Sequence, residues 1–222
     1  MEIIDKAVEA GWTSLSEYES KQVLASYGIP VTREILVEGS EALLKAAHEI
    51  GYPLVVKGCS PKTTHKTERG LIRTDIRNDQ EALDAYRAIS AAMTGPDAAV
   101  LVQEMVDGKR ELVIGMTRES QFGPCVMFGL GGIFTEILDD VSFRVAPLEK
   151  RDALAMMSEI KGHKILDAIR GMEAANLDRL VEILIRVGQI GLENECIQEI
   201  DINPVILAGS EPIAVDALVV LG

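Results

Sequence analysis

The segment LVVKGCSPKTTHKTERG, residues 54–70, guides the interpretation of the whole chain. Its first three residues, Leu54-Val55-Val56, predict a buried strand, and Lys57 stands where that strand is expected to end. A cation at the end of a buried strand needs an anionic partner. The Gly-, Ser- and Thr-rich loop that follows can turn its backbone N–H groups towards phosphate oxygens while the lysine supplies positive charge. The segment therefore predicts either a phosphate-binding loop or a solvated turn with a lysine at its base.

His65, in the same loop, is a side chain that phosphate binding alone does not require. The unperturbed pKa of a histidine side chain is about 6.5, so one ring nitrogen can act near neutral pH as a nucleophile or proton carrier. The glycine spacing of the loop matches neither GxGxxG nor GxxxxGK[ST], which disfavours the dinucleotide and P-loop designs. His65 is therefore the catalytic candidate of a different phosphate site, with a surface histidine as the alternative.

Composition excludes several classes of function. A net charge of −13 over 222 residues leaves too few cations to neutralise a nucleic-acid backbone, and 4% aromatic residues provide few stacking platforms for single strands. The spacing of Cys59, Cys125 and Cys196 fits neither a disulfide framework nor a zinc site. The N-terminal residues do not resemble a signal peptide, and no apolar run reaches the roughly 18 residues of a membrane span. We therefore expect a cytoplasmic protein.

Hydrophobic periodicity predicts an α+β protein. Helices and strands are mixed rather than strictly alternating, which favours largely antiparallel sheets. We expect an N-terminal extension at 1–15, a first lobe at 16–105 and a second lobe at 106–222. The predicted helices are 14–27, 40–50, 78–92, 150–159 and 176–193, and the predicted strands are 31–37, 53–57, 71–76, 98–105, 110–117, 124–128, 133–138, 141–146, 197–203, 205–207 and 213–218.

A second informative segment is IQEIDINP, residues 197–204. On a strand, Glu199, Asp201 and Asn203 project from one face while isoleucines occupy the other. Oxygen ligands in this arrangement suit Mg²⁺, which takes one or two carboxylates and completes its shell with water and phosphate oxygens. Asp216, on the next predicted strand, can add another oxygen. The segment predicts a magnesium site, the alternative being a strand with its polar face in water.

Further candidates lie at the predicted lobe boundary and beyond it. Glu104 ends one strand and Glu111 begins the next, so both can meet a ligand at a hinge, or can be solvated carboxylates. The run Gly129-Leu130-Gly131-Gly132 permits close approach of the backbone to a ligand or to another chain segment, and a tight turn explains it equally well. Arg144 and Arg170 are candidates for anion contacts, although each alone resembles a surface arginine.

Together these motifs resemble a known family. The lysine in its strand, the HK[ST][DE] loop, VQEMV, FGPCVMFGLGGIFTEILDDVSFRVAPL and EIDINPV are similar to the ATP-grasp module of nucleoside-diphosphate-forming acyl-CoA synthetases. The similarity is greatest to the separate β subunit of the ADP-forming acetyl-CoA synthetases and extends over residues 16–221. The resemblance implies an ATP-grasp fold, in which two α+β lobes hold the nucleotide between them.

The resemblance also assigns roles to individual residues. It implies that Lys57 contacts the phosphates of ATP or ADP, and that His65 is the histidine that becomes phosphorylated. It also implies that Glu104 and Val106 hold the base, that Glu111 binds the ribose and that Arg144 is an additional anion contact. The implied Mg²⁺ ligands are Asn203 and Asp216, with Asp201 beside them.

The acyl- and CoA-binding parts of the family are not recognisable in these 222 residues. The resemblance therefore implies a partner, a CoA-binding α subunit in a hetero-oligomer of the α₂β₂ type. Two other functions remain open at this point. An ATP-grasp carboxylate ligase that acts alone would not need His65, and a nucleotide-sensing domain of a larger regulatory acyltransferase would bind ATP without forming phosphohistidine.

Overall fold

The computed structural model describes residues 2–61, 70–93, 98–132, 140–169 and 171–222. His65, Arg170 and the strand predicted at 133–138 lie outside these ranges. The described part of the chain contains two antiparallel sheets, each with its own apolar core, which confirms the predicted α+β class. Within the same residues, no helix combines the length and apolar character that a bilayer span requires.

The smaller sheet contains four strands in the order β1-β4-β2-β3. Two helices supply apolar residues to the core beneath it, including Leu43 and Ile89. Both faces of β2 are covered by other parts of the chain, so all six residues of this strand are buried. The elements are β1 (Glu34–Val37), α3 (Ser40–Ile50), β2 (Leu54–Cys59), β3 (Ile72–Ile76), α4 (Asp79–Ala92) and β4 (Ala99–Glu104).

The larger sheet has the order β10-β8-β5-β6-β7, with β9 paired to the second half of β8. Two helices and a short 3₁₀ helix, His163–Leu166, cover one face of it. The other face carries the polar side of β8. The elements are β5 (Glu111–Glu119), β6 (Gly123–Leu130), β7 (Val141–Val145), α5 (Lys150–Glu159), α6 (Leu177–Glu193), β8 (Ile197–Ala208), β9 (Glu211–Ala214) and β10 (Leu218–Leu221).

Two N-terminal helices, α1 (Glu2–Glu9) and α2 (Glu17–Ser26), pack apolar residues into the core of the larger sheet. Ser16 begins α2 with a capping box: its side chain accepts a hydrogen bond from the backbone N–H of Glu19, whose carboxylate accepts one from the backbone N–H of Ser16. Helix α2 thus starts at a fixed point and carries its polar side towards the smaller sheet.

The structure corrects three predicted elements. The strand containing Lys57 does not end there, because pairing continues to Cys59 opposite Ala99. The strands predicted at 197–203 and 205–207 are a single strand, β8. The strand predicted at 213–218 is instead two strands, because β9 pairs with the second half of β8 and β10 pairs with the first half.

Candidate functional site

Lys57 lies at the junction of the two sheets. Its neighbours in β2, Val56 and Gly58, face the core of helices α3 and α4, so the lysine side chain points the opposite way. Its Nζ donates to the Glu17 Oε1 at 2.7 Å and to the carbonyl oxygen of Val215 at 3.2 Å. The residue is only 4% exposed. The predicted phosphate-binding lysine is therefore a buried cation held between α2 and the segment joining β9 to β10.

A second lysine completes this arrangement. Lys21 Nζ donates to the same Glu17 Oε1 at 2.9 Å and to the same Val215 carbonyl at 3.1 Å. It also donates to Gln103 Oε1 at 2.8 Å and forms an ion pair with Glu34. Lys21, Glu17 and Lys57 are all buried, which strengthens their mutual electrostatic interactions. Two cations and one shared carboxylate thus form the centre of the cluster.

The predicted metal ligands lie next to this cluster. The backbone N–H of Asn203 donates to the carbonyl oxygen of Asp216 at 3.3 Å, which sets Asn203, in the middle of β8, opposite Asp216, two residues before the start of β10. Asp201 lies two residues away on the same face of β8. Since Asp216 directly follows Val215, the carbonyl that accepts from both lysines belongs to the residue adjoining a predicted metal ligand.

The electrostatics of Asp201 fit a cation at this place. Burial, together with the nearby carboxylates of Glu199 and Asp216, raises the pKa of its carboxyl group to about 6. In the described residues, no three or more His, Cys, Asp or Glu side chains form a cluster that could hold a metal by themselves. Two carboxylates and an amide oxygen nevertheless fit Mg²⁺, whose remaining ligands are commonly water and substrate phosphates.

Glu111 lies at the start of β5, against the glycine run. The backbone N–H of Gly131 donates to the Glu111 carbonyl at 2.8 Å. A Cβ at Gly131 would lie 2.8 Å from the Glu111 carbonyl carbon, and one at Gly132 would lie 2.8 Å from Glu111 Oε2. Gly132 also has a φ of +65°. The glycines therefore allow the end of β6 to approach Glu111 closely.

Glu104 is engaged by an arginine at the end of the smaller sheet. Its two carboxylate oxygens accept hydrogen bonds from the backbone N–H of Arg33 at 2.9 Å and from Arg33 Nε at 2.8 Å. Val106, two residues later, is half-buried in the segment that joins the sheets. The Glu104 side chain is therefore held within the smaller sheet, and its backbone N–H also donates to the Arg33 carbonyl at 3.0 Å.

The structure does not bring Arg144 to the other candidates. Pairing across the larger sheet puts Arg144 in register with Val126, Met116 and Ile200, whose side chains face the helix-covered core. Arg144 accordingly forms an ion pair with Glu159 of α5. Asp201 is in register with Gly115, Met127 and Phe143, and these residues face the side of the sheet that the helices do not cover. Together they line a cavity of about 90 Å³.

Sequence reasoning missed Glu17, Lys21 and Gln103. A partial signal exists in Ser16-x-x-Glu19, which marks the helix start, and in the i, i+4 spacing of Glu17 and Lys21. That spacing normally describes an exposed ion pair. Only the packing of α2 between the sheets makes this pair a buried one that contacts Lys57.

Comparison with known proteins identifies the family and the fold of this chain. The ATP-grasp domain family matches residues 6–221. The β subunit of ADP-forming acetate–CoA ligase I from Pyrococcus furiosus is 47% identical over 225 residues, which are 99% of this chain and 97% of that subunit.

Two solved structures of acetyl-coenzyme A synthetase 1 from Candidatus Korarchaeum cryptofilum are similar to the full length of this chain and to 99% of theirs, each at 44% identity. The complex with coenzyme A and Ca-AMPCP superposes with a TM-score of 0.94. The complex with coenzyme A and Mg-AMPPCP, whose phosphohistidine segment points towards the nucleotide binding site, superposes with a TM-score of 0.88. The predicted resemblance and the predicted ATP-grasp fold are confirmed. The chain therefore belongs to the ATP-grasp family, in the group formed by the β subunits of ADP-forming acetate–CoA ligases.

Proposed function

We propose that this chain binds ATP or ADP between its two sheets and transfers a phosphoryl group between the nucleotide and a histidine. The overall reaction would convert acyl-CoA, ADP and phosphate to a carboxylate, CoA and ATP. One observation supports the proposal: the Lys57 ammonium contacts the carbonyl of Val215, directly before Asp216, so the proposed phosphate-binding cation lies beside the proposed Mg²⁺ ligands. Phosphoryl transfer depends on such positioning and charge neutralisation.

Different residues would bind the phosphates, the base and the ribose of the nucleotide. Lys57 would bind the phosphates, the backbone at Glu104 and Val106 would hold the base, and Glu111 would accept from the ribose hydroxyls. Arg144 is not included, because its side chain lies on the helix-covered face of the larger sheet. The contacts of Glu111 with the glycine run support its assignment, because they hold it at the edge of the open face.

The oxygen ligands would hold Mg²⁺ through Asn203 and Asp216, with Asp201 beside them. When bound, the ion would supply positive charge to the terminal phosphates. His65 would attack the γ-phosphorus with one ring nitrogen. A nitrogen–phosphorus bond would form as the bond to the bridging β-phosphate oxygen breaks, which leaves ADP.

The partner would be a CoA-binding α subunit, in an assembly of the α₂β₂ type, and the substrate would be acetyl-CoA or a similar small acyl-CoA. The full-length match to a separate β subunit supports this division of labour. The enzyme would be cytoplasmic, and because the net charge is −13, its anionic substrates would bind through local cations.

The phosphate role of Lys57 is tested by nucleotide binding. We expect Lys57→Ala to weaken MgATP binding about tenfold or more, since hydrogen bonds to charged groups contribute about 1.5–3 kcal/mol. Isothermal titration calorimetry of the full chain measures this change. The matched control is Lys45→Ala on exposed α3, which should bind as the original chain does. Equal affinity in both variants would remove Lys57 from the proposed site.

The role of His65 is tested by transfer of the γ-phosphoryl label from ATP in the presence of the partner subunit. His65→Ala should bind MgATP yet form no acid-labile phosphohistidine on this chain. His48→Ala is the control, because His48 is an exposed histidine of α3 that pairs with Asp79. Undiminished labelling of the His65 variant would refute phosphoryl transfer through this residue.

A further inference from the structure

One carboxylate in the buried cluster is shared by two lysines. Glu17 Oε1 accepts from Lys57 at 2.7 Å and from Lys21 at 2.9 Å. The carbonyl oxygen of Val215 is shared by the same two ammonium groups, at 3.2 Å and 3.1 Å. The two cations therefore use common acceptors, and a change in one alters the electrostatic environment of the other.

Among the described residues, Lys21 has more hydrogen-bond and ion-pair partners than Lys57. Besides the shared acceptors, it donates to Thr32 Oγ1 at 3.1 Å and to Gln103 Oε1 at 2.8 Å, and it pairs with Glu34. Residues 32, 34 and 103 lie in or beside β1 and β4, so Lys21 joins α2 to the smaller sheet. For Lys57, the hydrogen bonds described are those to Glu17 and Val215.

We propose that Lys21 is a positioning residue for Lys57: by sharing the negative charge of Glu17, it allows Lys57 to exchange Glu17 for a nucleotide phosphate. This inference rests on the proposed function, since it takes Lys57 as the phosphate-binding cation. Glu17 is then the internal acceptor that occupies Lys57 before the nucleotide binds.

The physical reason is the high free energy of an unpaired buried charge. With Lys21 present, Lys57 can turn to a phosphate while Glu17 keeps a cationic partner. Without Lys21, departure of Lys57 would remove the remaining lysine partner of the buried Glu17 carboxylate, so nucleotide binding would include the free-energy cost of losing that ion pair. Removing Lys21 should therefore weaken nucleotide binding, although Lys21 is not among the proposed nucleotide contacts.

The inference predicts that Glu17→Gln restores the nucleotide binding lost in Lys21→Met, which a purely structural role of Lys21 does not predict. We expect Lys21→Met to raise the Kd for MgADP and MgATP about tenfold. Glu17→Gln should lower the Kd severalfold, because the competing carboxylate is gone. The double variant Lys21→Met/Glu17→Gln should return to a Kd at or below that of the original chain. Calorimetry on the full chain measures the Kd, and thermal unfolding of each variant shows whether it is folded.

The chain contains a matched control in α1, where Glu2 and Lys6 form an exposed pair with the same i, i+4 spacing. Glu2→Gln, Lys6→Met and their double variant should leave the Kd unchanged. The proposal is overturned if Lys21→Met binds nucleotide normally, or if Glu17→Gln fails to restore binding to it. If Lys21→Met does not fold, the test is the Kd of Glu17→Gln alone. An unchanged or higher Kd in that variant would overturn the proposal.

The same series separates this inference from the proposed function. Loss of MgATP binding in Lys57→Ala together with normal binding in Lys21→Met would retain the nucleotide site and reject the positioning role. Normal binding in Lys57→Ala, or absence of nucleotide binding by the original chain, would instead reject the proposed site.

Discussion

At the scale of single residues, the protonation of Glu34 is controlled by the buried cluster. The pKa of its carboxyl group is raised to about 7, because burial, assisted by the nearby Glu17 carboxylate, outweighs the attraction of Lys21 and Lys57. Thr32 and Gln103 are the neutral polar side chains around the same lysine. Glu34 therefore changes charge near neutral pH, inside the group of residues that surrounds Lys57.

This shift predicts a pH-dependent stability. The folded chain binds the Glu34 proton more tightly than a carboxyl group with the ordinary pKa of 4.5, so the contribution is fully present below pH 4.5 and is lost as the pH rises to about 7. Over that interval the free energy of unfolding should fall by up to about 1.4 kcal/mol per pH unit relative to Glu34→Gln. Urea unfolding at several pH values measures the difference.

Glu41→Gln is the control for this experiment, because Glu41 is exposed at the start of α3. Parallel pH profiles for the original chain and Glu34→Gln would contradict the assigned protonation of Glu34.

At the scale of elements, Arg110 holds together the segments around the start of β5. Its guanidinium donates to the carbonyl oxygens of Ile165, Asp167, Glu173 and Gly209, at 3.1, 3.4, 2.7 and 2.8 Å. Arg110 is buried and directly precedes Glu111. The planar fork of arginine therefore fixes the 3₁₀ segment and the β8–β9 turn beside the proposed ribose contact.

We expect Arg110→Lys to reduce the free energy of unfolding by about 3 kcal/mol, because an ammonium group cannot reach all four acceptors and leaves buried carbonyls without a donor. Arg87→Lys, whose exposed arginine pairs with Asp84 on α4, should change stability by less than about 0.5 kcal/mol. Chemical denaturation compares the two. Similar small losses in both variants would mean that the four contacts of Arg110 contribute little.

At the scale of the whole molecule, the two sheets have cores of unequal size. The larger core collects apolar residues from α1, α2, α5, α6 and the six-stranded sheet, whereas the smaller one consists of α3, α4 and four strands. The polar cluster around Lys21 joins α2 to the smaller sheet. We infer that the smaller lobe opens more readily than the larger one.

Hydrogen exchange should show this difference. Amides of β2 and β4 are expected to exchange about tenfold faster than those of β5 and β8, which corresponds to about 1.4 kcal/mol in opening free energy. Mass spectrometry of peptides from each sheet measures the rates. Equal protection of both sheets would indicate that they unfold as one cooperative unit.

Much of this protein follows from local sequence. The helices at 40–50 and 150–159 have the predicted bounds, because apolar periodicity and local stop signals such as Gly51 act within a few residues. The period-two pattern of IQEIDINP likewise predicts which side chains share a face of β8, and the motifs identify the family.

Tertiary structure decided what those residues meet. Contacts between segments far apart in the chain bury Lys21 and let it share Glu17 with Lys57. Such contacts also place Arg144 on the helix-covered face of the larger sheet. Alternation along a strand separates two faces but does not reveal which one the helices cover. The sequence by itself thus determined the elements and the family, whereas packing between sheets and helices decided the partners of each charge.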